Sequence, residues 1–284
     1  MKVLLIGSGG YLGTEIQNYF KNKNITLILV TSKNNFKNKY NYKSILKIKK
    51  YKKIDLVLFL AGLDESNSIN LKKSINAKKK ILTLLLKLSK IIDIKRIIYF
   101  SSIKVYSELN IGKVRESNHN YSKSIYSKAH LFAENFILNK FKSNNPLILR
   151  LSNIYGSKVN SKNGNKYFLN SIIYSFKKYK KISIKSNFNF YRDYISIDYF
   201  LDFLNFLINK NTKIKKINLC SGKMTSVREL LSKINNISKF FNDVKISSKI
   251  IIEKNNNYYF CTSKLSKLSF RIYKNLQLKK YFDS

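Results

Sequence analysis

The sequence has no tryptophan, one proline, two cysteines and two histidines. Cys220 and Cys261 stand alone, with no C-x-x-C pair, which excludes a disulfide framework and is typical of a reducing cytoplasm. His119 and His130 are the only histidines, so no familiar metal-ligand spacing can be assembled. We therefore expect neither structural disulfides nor a metal centre.

Long hydrophobic runs are also missing. The first apolar run, Val3–Ile6, is too short for a signal peptide and ends in glycines. The longest apolar stretches, such as Ile81–Leu86, are far too short to span a bilayer. These observations predict a soluble, cytoplasmic protein without a membrane partner.

Acidic residues are scarce. The chain has 15 Asp and Glu residues and 55 Lys and Arg residues, which gives a formal net charge of +40 at pH 7. Only six of the basic residues are arginine, which is the residue favoured for bidentate phosphate and base contacts. The lysines are spread along the chain, for example at 78–80, 177–181 and 213–216, and we interpret them as solvated positions in the product of an AT-rich genome. This surface predicts loose, salt-sensitive polyanion binding and no specific nucleic-acid binding.

The sequence is rich in alternating strand-like and helix-like segments. Apolar runs of strand length occur at Val3–Ile6, Ile25–Val30, Leu56–Leu60, Ile97–Phe100 and Leu147–Leu151. Helical spacing occurs between them at Tyr11–Phe20, Ile69–Lys90 and Tyr126–Phe141. This alternation predicts an α/β fold with a Rossmann-type, doubly wound parallel sheet over residues 1–155. A short strand is also expected, without a definite position, within 31–52.

The alternation stops after residue 155. The segment 156–284 predicts mainly a smaller substrate-binding lobe, with an Asn/Ser/Gly/Lys-rich loop at 157–165 and an irregular stretch at 181–195. Helices are expected near 166–179 and 197–209, and a strand at Ile217–Cys220 is expected to return to the sheet.

Three evenly spaced glycines follow the first predicted strand directly, as Gly7-x-x-Gly10-x-x-Gly13. Gly7 permits a sharp turn, Gly10 permits close approach of a pyrophosphate, and Gly13 permits the next helix to pack on the sheet. The helix N-terminus then presents its amides and its positive dipole end to the phosphates. The segment predicts a dinucleotide site that includes Tyr11 and Leu12.

Several further motifs occur in a fixed order. They are Leu58-Phe-Leu-Ala-Gly62, Tyr99-Phe-Ser-Ser-Ile-Lys-Val-Tyr106, Tyr126-Ser-Lys-Ala-His-Leu-Phe-Ala-Glu-Asn135, Arg150-Leu-Ser-Asn-Ile-Tyr-Gly156, Tyr191-Arg-Asp-Tyr-Ile-Ser-Ile-Asp198, Asn218-Leu-Cys-Ser-Gly222 and Thr262-Ser-Lys-Leu265. In this order and spacing the set resembles the extended short-chain dehydrogenase/reductase family, specifically its NAD(P)-dependent nucleotide-sugar epimerases, dehydratases and reductases. The resemblance covers nearly the whole chain.

The resemblance implies a particular chemistry. In the family a tyrosine takes or gives the proton of a sugar hydroxyl while a hydride moves to or from the nicotinamide, and a Ser or Thr hydroxyl holds the same oxygen. A lysine one turn after the tyrosine binds the nicotinamide ribose and lowers the tyrosine pKa. The hydroxyl maps to Ser102, whose alternative role is to satisfy a turn at the strand end.

The usual Tyr-x-x-x-Lys pattern is absent, and two registers compete. One takes Lys128 as the lysine and places Ser124 at the tyrosine position. The other takes Tyr126 as the tyrosine and His130 at the lysine position, and it restores Glu134 to the family spacing. Residues four apart share a helix face, whereas Lys128 lies about 200° round the helix from Tyr126, so we choose Tyr126 and His130. The alternative roles are a core tyrosine and a capped histidine with its hydrogen bonds satisfied.

A neutral imidazole at position 130 donates one hydrogen bond but carries no permanent charge. We therefore expect catalysis that is slow, shifted to higher pH or helped by another lysine, with loss of activity as the further alternative.

The cofactor choice rests on a missing acid. NAD-specific relatives usually carry an acidic residue at the end of the second strand, and this chain has none between Glu15 and Asp55. That strand ends in Thr31-Ser32-Lys33, which suits a 2′-phosphate and favours NADP slightly over NAD. Leu60, Ala61 and Gly62, together with Tyr126 and His130, complete the cofactor-binding residues that the resemblance implies.

The resemblance places the sugar nucleotide in the second lobe, with Asn153 and Arg192 as diphosphate contacts, and makes Ser102 a further substrate-binding residue. A guanidinium suits a diphosphate bidentately, although Arg192 could instead form an ion pair with Asp193 or Asp198.

We expect an epimerase or 4-keto-reductase of surface-polysaccharide synthesis; a homodimer is compatible with the resemblance. A 4,6-dehydratase is disfavoured, because its catalytic hydroxyl is followed by Asp-Glu and Ser102 is followed by Ile103 and Lys104. The competing hypothesis is a non-catalytic family member whose basic surface binds RNA or a protein partner.

Overall fold

The computed structural model describes residues 1–32, 39–157, 167–179, 181–185, 190–238, 245–249, 257–273 and 276–283. The strands are β1 Lys2–Ile6, β2 Thr26–Thr31, β3 Lys39–Asn41, β4 Lys53–Ile54, β5 Leu56–Phe59, β6 Asp93–Ile94, β7 Ile97–Ser102, β8 Gly112–Val114, β9 Pro146–Leu151, β10 Asn153–Tyr155, β11 Lys181–Lys185, β12 Tyr191–Ser196, β13 Lys216–Leu219, β14 Met224–Ser226, β15 Lys245–Lys249 and β16 Tyr258–Phe260.

The helices are α1 Tyr11–Phe20, α2 Leu71–Ser89, α3 Ile125–Lys140, α4 Phe168–Tyr179, α5 Ile197–Asn209, α6 Val227–Ser238, α7 Ser263–Lys267 and α8 Lys279–Asp283. Short 3₁₀ helices occupy Tyr42–Tyr51, Ile103–Val105 and Lys142–Asn144. The chain divides into two compact units. The first comprises 1–109, 116–151 and 204–218, and the second comprises 110–115, 152–203 and 219–284.

A seven-stranded sheet in the order β13-β9-β7-β5-β1-β2-β3 forms the centre of the first unit. The pairs from β9 to β3 are parallel, with Ile6 opposite both Val30 and Phe59. The strand order runs outward in both directions from β1, so a topological switch point lies between β1 and β5. The predicted Rossmann-type sheet is therefore confirmed, and Lys216–Leu219 joins its edge as expected.

Continuous apolar strands explain why this sheet lies inside the unit. Val3–Ile6, β5 and all of β9 are buried, as a parallel sheet with helices on its faces requires. The predicted helix Tyr11–Phe20 is found with the same bounds, and the other two predicted helices are α2 and α3 within two residues at each end. The strand expected within 31–52 is β3, and a 3₁₀ helix follows it.

A buried ion pair attaches α3 to the sheet. Arg150 on β9 donates two hydrogen bonds to the Glu134 carboxylate, from Nε at 3.0 Å and from an Nη at 2.6 Å. Ser101 on β7 donates to the same carboxylate at 2.6 Å, and Arg150 also donates to the Tyr106 hydroxyl at 2.7 Å. Both charged side chains are essentially inaccessible to solvent, with exposed fractions of 0% and 1%. The pair fixes the rotation of α3 against β7 and β9.

In the second unit, β10, β12 and β14 form a small sheet, and β8 pairs with β16. The stretch 181–195, which was expected to be irregular, instead contains β11 and most of β12, so that expectation is wrong. The expected helices near 166–179 and 197–209 are α4 and α5. The loop expected at 157–165 lies almost entirely outside the described residues.

Among the described residues, no helix is long and apolar enough to cross a membrane. The expectation that the lysines occupy solvated positions is wrong at Lys78, within the part of the chain that the structure describes. Lys78 is only 3% exposed, because it lies on the buried face of α2 with Ser74, Ile81 and Leu82.

The buried pair predicts a large stability effect. Glu134→Gln leaves the Arg150 guanidinium buried without a counter-charge and should lower the free energy of unfolding by about 3–5 kcal/mol in a urea titration. The matched control is Glu229→Gln, which breaks partly exposed ion pairs to Lys223 and Lys233 and should cost no more than about 1 kcal/mol. Equal losses in the two variants would show that the buried pair does not hold α3.

Candidate active site

The loop after β1 lies at the switch point of the sheet. Gly7 has a φ of +97°, and its amide and that of Ser8 both donate to the Val30 carbonyl, at 2.9 and 3.0 Å. A Cβ at Gly7 would lie 2.9 Å from the amide nitrogen of Ala61, so the end of β5 packs directly on this turn. The conformation and the space both require glycine at position 7.

Gly10 and Gly13, the other two glycines of the motif, lack a side chain for different reasons. A Cβ at Gly13 would overlap the Gly7 carbonyl oxygen and lie 2.8 Å from the Ser8 Cα, so the chain itself excludes a side chain there. A Cβ at Gly10 would meet only the Gly7 carbonyl oxygen, at an ordinary 3.5 Å. Gly10 is exposed at the N-terminus of α1, between the half-buried Gly9 and the buried Tyr11. The missing side chain at Gly10 thus leaves the backbone open to a ligand, which fits a pyrophosphate.

Several of the remaining predicted cofactor-binding residues lie at the ends of β2 and β5. Thr31 is buried at the end of β2, and Ser32 is exposed. The Thr31 hydroxyl lies close to Gly9, since a Cβ added at Gly9 would be only 2.8 Å from it. Ala61 is buried and Gly62 is exposed with a φ of +157°. Leu60 and Leu12 are half-buried, and Lys33 lies outside the described residues.

Helix α3 presents the predicted catalytic pair. Ser124 caps the helix by accepting a hydrogen bond from the Ser127 amide at 3.2 Å, so the residue that the rival register places at the tyrosine position is a helix cap. The rings of Tyr126 and His130 lie with centroids 4.5 Å apart, and Tyr126 is half-buried. Lys128 is exposed. The structure therefore brings Tyr126 and His130 together and leaves Lys128 apart.

His130 is itself buried and has partners that the sequence reasoning missed. Its Nδ1 lies 2.8 Å from the Tyr99 hydroxyl, and the Lys78 ammonium donates to that hydroxyl at 3.1 Å. Burial, together with the positive charge of Lys78, lowers the pKa of His130 well below its usual value. A lysine on the apolar face of α2 was the sequence signal for this cluster.

Ser102 ends β7, and its Oγ accepts a hydrogen bond from the Lys104 amide at 3.2 Å. This contact satisfies the turn at the end of the strand, which is the alternative role of Ser102. It leaves the Ser102 hydroxyl proton available for donation. The Lys104 side chain forms an ion pair with Glu65, and Ile103 is buried.

The predicted substrate-binding residues Asn153 and Arg192 lie in the second unit. The Asn153 side-chain amide donates to the Asp193 carbonyl at 2.9 Å. The Arg192 guanidinium lies over the Phe190 ring, 4.3 Å from its centroid, rather than against Asp193 or Asp198. The buried Asp193 carboxylate instead accepts hydrogen bonds from Ser152, Ser221 and the Gly222 amide.

The described residues hold no group of three or more His, Cys, Asp and Glu side chains that could bind a metal ion. What the first unit offers is an open glycine turn at a switch point and a paired tyrosine and histidine on α3, which packs on β7 and β9. This fold and loop define a Rossmann-type dinucleotide-binding protein.

Residues 3–220 match the model of the NAD dependent epimerase/dehydratase family. The chain belongs to this enzyme family, which confirms the resemblance drawn from its motifs. No curated protein matches the sequence.

Solved structures of epimerases and dehydratases share the fold. A UDP-glucuronic acid 4-epimerase from Bacillus cereus, in complex with UDP-glucuronic acid and NAD, is 18% identical with a TM-score of 0.76, over 100% of this chain and 97% of that one. A dTDP-glucose 4,6-dehydratase from Bacillus anthracis in complex with NAD is 15% identical with a TM-score of 0.74, over 100% and 94%. An ADP-L-glycero-D-manno-heptose-6-epimerase from Helicobacter pylori is 16% identical with a TM-score of 0.76, over 99% and 94%.

Gly10 and Gly13 of the glycine motif give a matched pair of variants that tests the dinucleotide site. Gly10→Ala should leave the melting temperature nearly unchanged but weaken dinucleotide binding roughly tenfold to hundredfold, because a methyl group then blocks hydrogen bonding to a charged phosphate. Gly13→Ala should instead destabilise the fold by about 1–3 kcal/mol through overpacking. Calorimetric titration with NAD and NADP and a thermal melt measure both effects. Unchanged dinucleotide affinity in Gly10→Ala would place the phosphates elsewhere.

Proposed function

We propose that this protein is an NAD(P)-dependent oxidoreductase that acts on a nucleotide-activated sugar, as an epimerase or 4-keto-reductase of surface-polysaccharide synthesis. The observation that carries the proposal is the Tyr126–His130 ring contact on α3, in the same unit as the open turn at Gly10. Membership of the epimerase/dehydratase family and the NAD complexes of its structural neighbours support it.

In the first unit, some residues bind the cofactor and others transfer the proton. The turn at Gly10 and the first amides of α1 bind the pyrophosphate, Thr31 and Ser32 lie toward the adenosine ribose, and the segment from Leu60 to Gly62 lines the cofactor. The nicotinamide, when bound, supplies or accepts a hydride. His130 donates a hydrogen bond to the nicotinamide ribose.

Tyr126 then transfers the proton. Its phenolate takes the proton of the sugar hydroxyl during oxidation, and the hydroxyl so formed returns that proton during reduction, while Ser102 donates a hydrogen bond to the same oxygen. Asn153 and Arg192 of the second unit bind the diphosphate of the substrate, and a guanidinium over an aromatic ring keeps its outer N–H groups for that purpose.

The reaction class follows from the residues after the catalytic hydroxyl. In the family, 4,6-dehydratases carry an Asp-Glu pair there that handles the C5 and C6 protons, whereas this chain has the buried Ile103 and the ion-paired Lys104. The fold alone does not separate the classes, since both epimerases and dehydratases share it. We therefore assign an epimerase or a reductase from these side chains.

A screen of nucleotide sugars tests the proposal. The protein is melted with UDP-, dTDP-, GDP- and ADP-sugars in the presence of NAD, NADH, NADP or NADPH, and the stabilising pairs are incubated and analysed by mass spectrometry and NMR. We expect one class of sugar to be stabilising and to be epimerised or reduced. A protein that binds RNA but neither cofactor would overturn the proposal.

Tyr126→Phe should lower turnover by about 10²–10⁴-fold, the usual contribution of a positioned proton-transfer group. Melting temperature and dinucleotide affinity should persist, since only one hydroxyl is removed. Lys128→Ala is the matched control on the same helix, and it should be nearly silent because Lys128 is exposed. If Lys128→Ala lowered turnover strongly and Tyr126→Phe did not, the result would support the rival register, in which Lys128 is the lysine.

The cofactor preference is the last expectation. NADPH should bind more tightly than NADH, because the end of β2 offers hydroxyls and a lysine in place of a carboxylate. Lys33→Asp should reverse or abolish the preference in a fluorescence titration, whereas Lys142→Asp, which makes the same charge change at an exposed position, should not. Equal affinities that neither variant alters would show that this segment does not read the 2′ position.

A further inference from the structure

We infer that Lys78 is a positioning residue that holds His130, through the Tyr99 hydroxyl, in the single neutral tautomer with its proton on Nε2. The inference rests on the proposed function only in naming what His130 faces. The tautomer itself is a property of the protein without ligands.

Lys78 is set apart from the lysines beside it. Lys79 and Lys80 are exposed, whereas Lys78 lies on the buried face of α2 with its Nζ 3.1 Å from the Tyr99 hydroxyl. A Cβ at Gly62 would overlap this ammonium group, so the side chain reaches the end of β5. Among the described residues no carboxylate forms an ion pair with it. Burying an unpaired lysine is costly, and the contact it makes here is with Tyr99.

The direction of the hydrogen bonds follows from the donors available. An ammonium group has only protons to give, so the Tyr99 oxygen accepts from Lys78. The buried Tyr99 hydroxyl has hydrogen bonds to Lys78 and His130, and the ammonium cannot accept, so the Tyr99 proton is satisfied when it is donated across the 2.8 Å to His130 Nδ1. An imidazole that accepts at Nδ1 and is neutral carries its proton on Nε2. His130 is therefore a fixed donor on the helix face that it shares with Tyr126.

The other charged groups around the cluster keep this arrangement in place. Tyr99 on β7 faces Glu134 and Tyr126 of α3, and burial, followed by these two neighbours, raises the pKa of Tyr99 well above its usual value. Glu134 is in turn neutralised by Arg150 of β9. Tyr99 thus stays protonated and can act as the link between the lysine and the histidine.

The arrangement depends on pH through Lys78. Burial lowers the pKa of Lys78 to about 7. Below that pH the ammonium fixes the Nε2–H tautomer of His130. Above it the neutral amine can also accept a proton from Tyr99, so the opposite tautomer becomes available. Position 130 has no permanent positive charge of its own. Lys78 of α2 supplies one, and two hydrogen bonds through the Tyr99 hydroxyl connect it to His130.

Histidine NMR tests the inference directly, because the chain has only two histidines and His119→Gln assigns the spectrum. In ¹⁵N spectra of the intact protein below pH 7 we expect His130 to be neutral and protonated on Nε2. In Lys78→Met, which keeps the side-chain length, we expect both neutral tautomers and a His130 pKa raised toward its usual value. Lys79→Met is the matched control and should leave the spectrum unchanged.

Tyr99→Phe removes the link without altering Lys78 and should also yield both tautomers; it replaces Lys78→Met if that variant does not fold. An Nδ1-protonated His130 in the unaltered protein, or a spectrum that neither variant changes, would overturn the inference. The measurement uses neither cofactor nor sugar. Failure of the tautomer assignment is therefore distinguishable from failure of the proposed function, which the nucleotide-sugar screen reports.

Discussion

The candidate site depends on the buried ion pair between Glu134 and Arg150. Removing two charges from water is costly, and the bidentate geometry, with Ser101 and Tyr106 as further partners, offsets that cost. Its structural effect is to fix which side of α3 faces the sheet. Tyr126, His130 and Glu134 are spaced four residues apart and so share one stripe of the helix. Anchoring the stripe at Glu134 places the other two side chains.

In the register that we propose, this stripe carries histidine where the family usually has lysine. A lysine at position 130 would bring its own positive charge to the site. Here the charge lies on Lys78 of α2, and Tyr99 relays its influence as a hydrogen bond to His130. In the function proposed above, the two roles of the family lysine, binding and electrostatic, are divided between His130 as a hydrogen-bond donor and the buried Lys78 ammonium.

Much of this architecture could be predicted from the sequence, because continuous apolar strands and amphipathic helices carry a local periodicity. Tyr11–Phe20 and Val3–Ile6 are examples, and the order of the motifs was enough to indicate the family. The strand at 181–185 was missed although polar residues alternate with Ile182 and Ile184, a period-two pattern.

The polar contacts inside the sheet were harder to foresee. Lys78 sits in a lysine run, and only its helical phase relative to Ile81 and Leu82 distinguishes it from its exposed neighbours. Arg150 and Glu134 lie 16 residues apart on different elements, so their pairing depends on how α3 docks on β9. No local pattern reports that docking, since it is set by the packing of the whole sheet.

The most direct test of the account is a crystal structure of the protein with its bound dinucleotide. The account predicts the pyrophosphate on the backbone at Gly10 and the nicotinamide ribose within hydrogen-bonding distance of His130 Nε2, with the Tyr126 hydroxyl facing the nicotinamide. A dinucleotide bound away from the Gly7–Gly13 turn, or a nicotinamide that contacts neither Tyr126 nor His130, would contradict it.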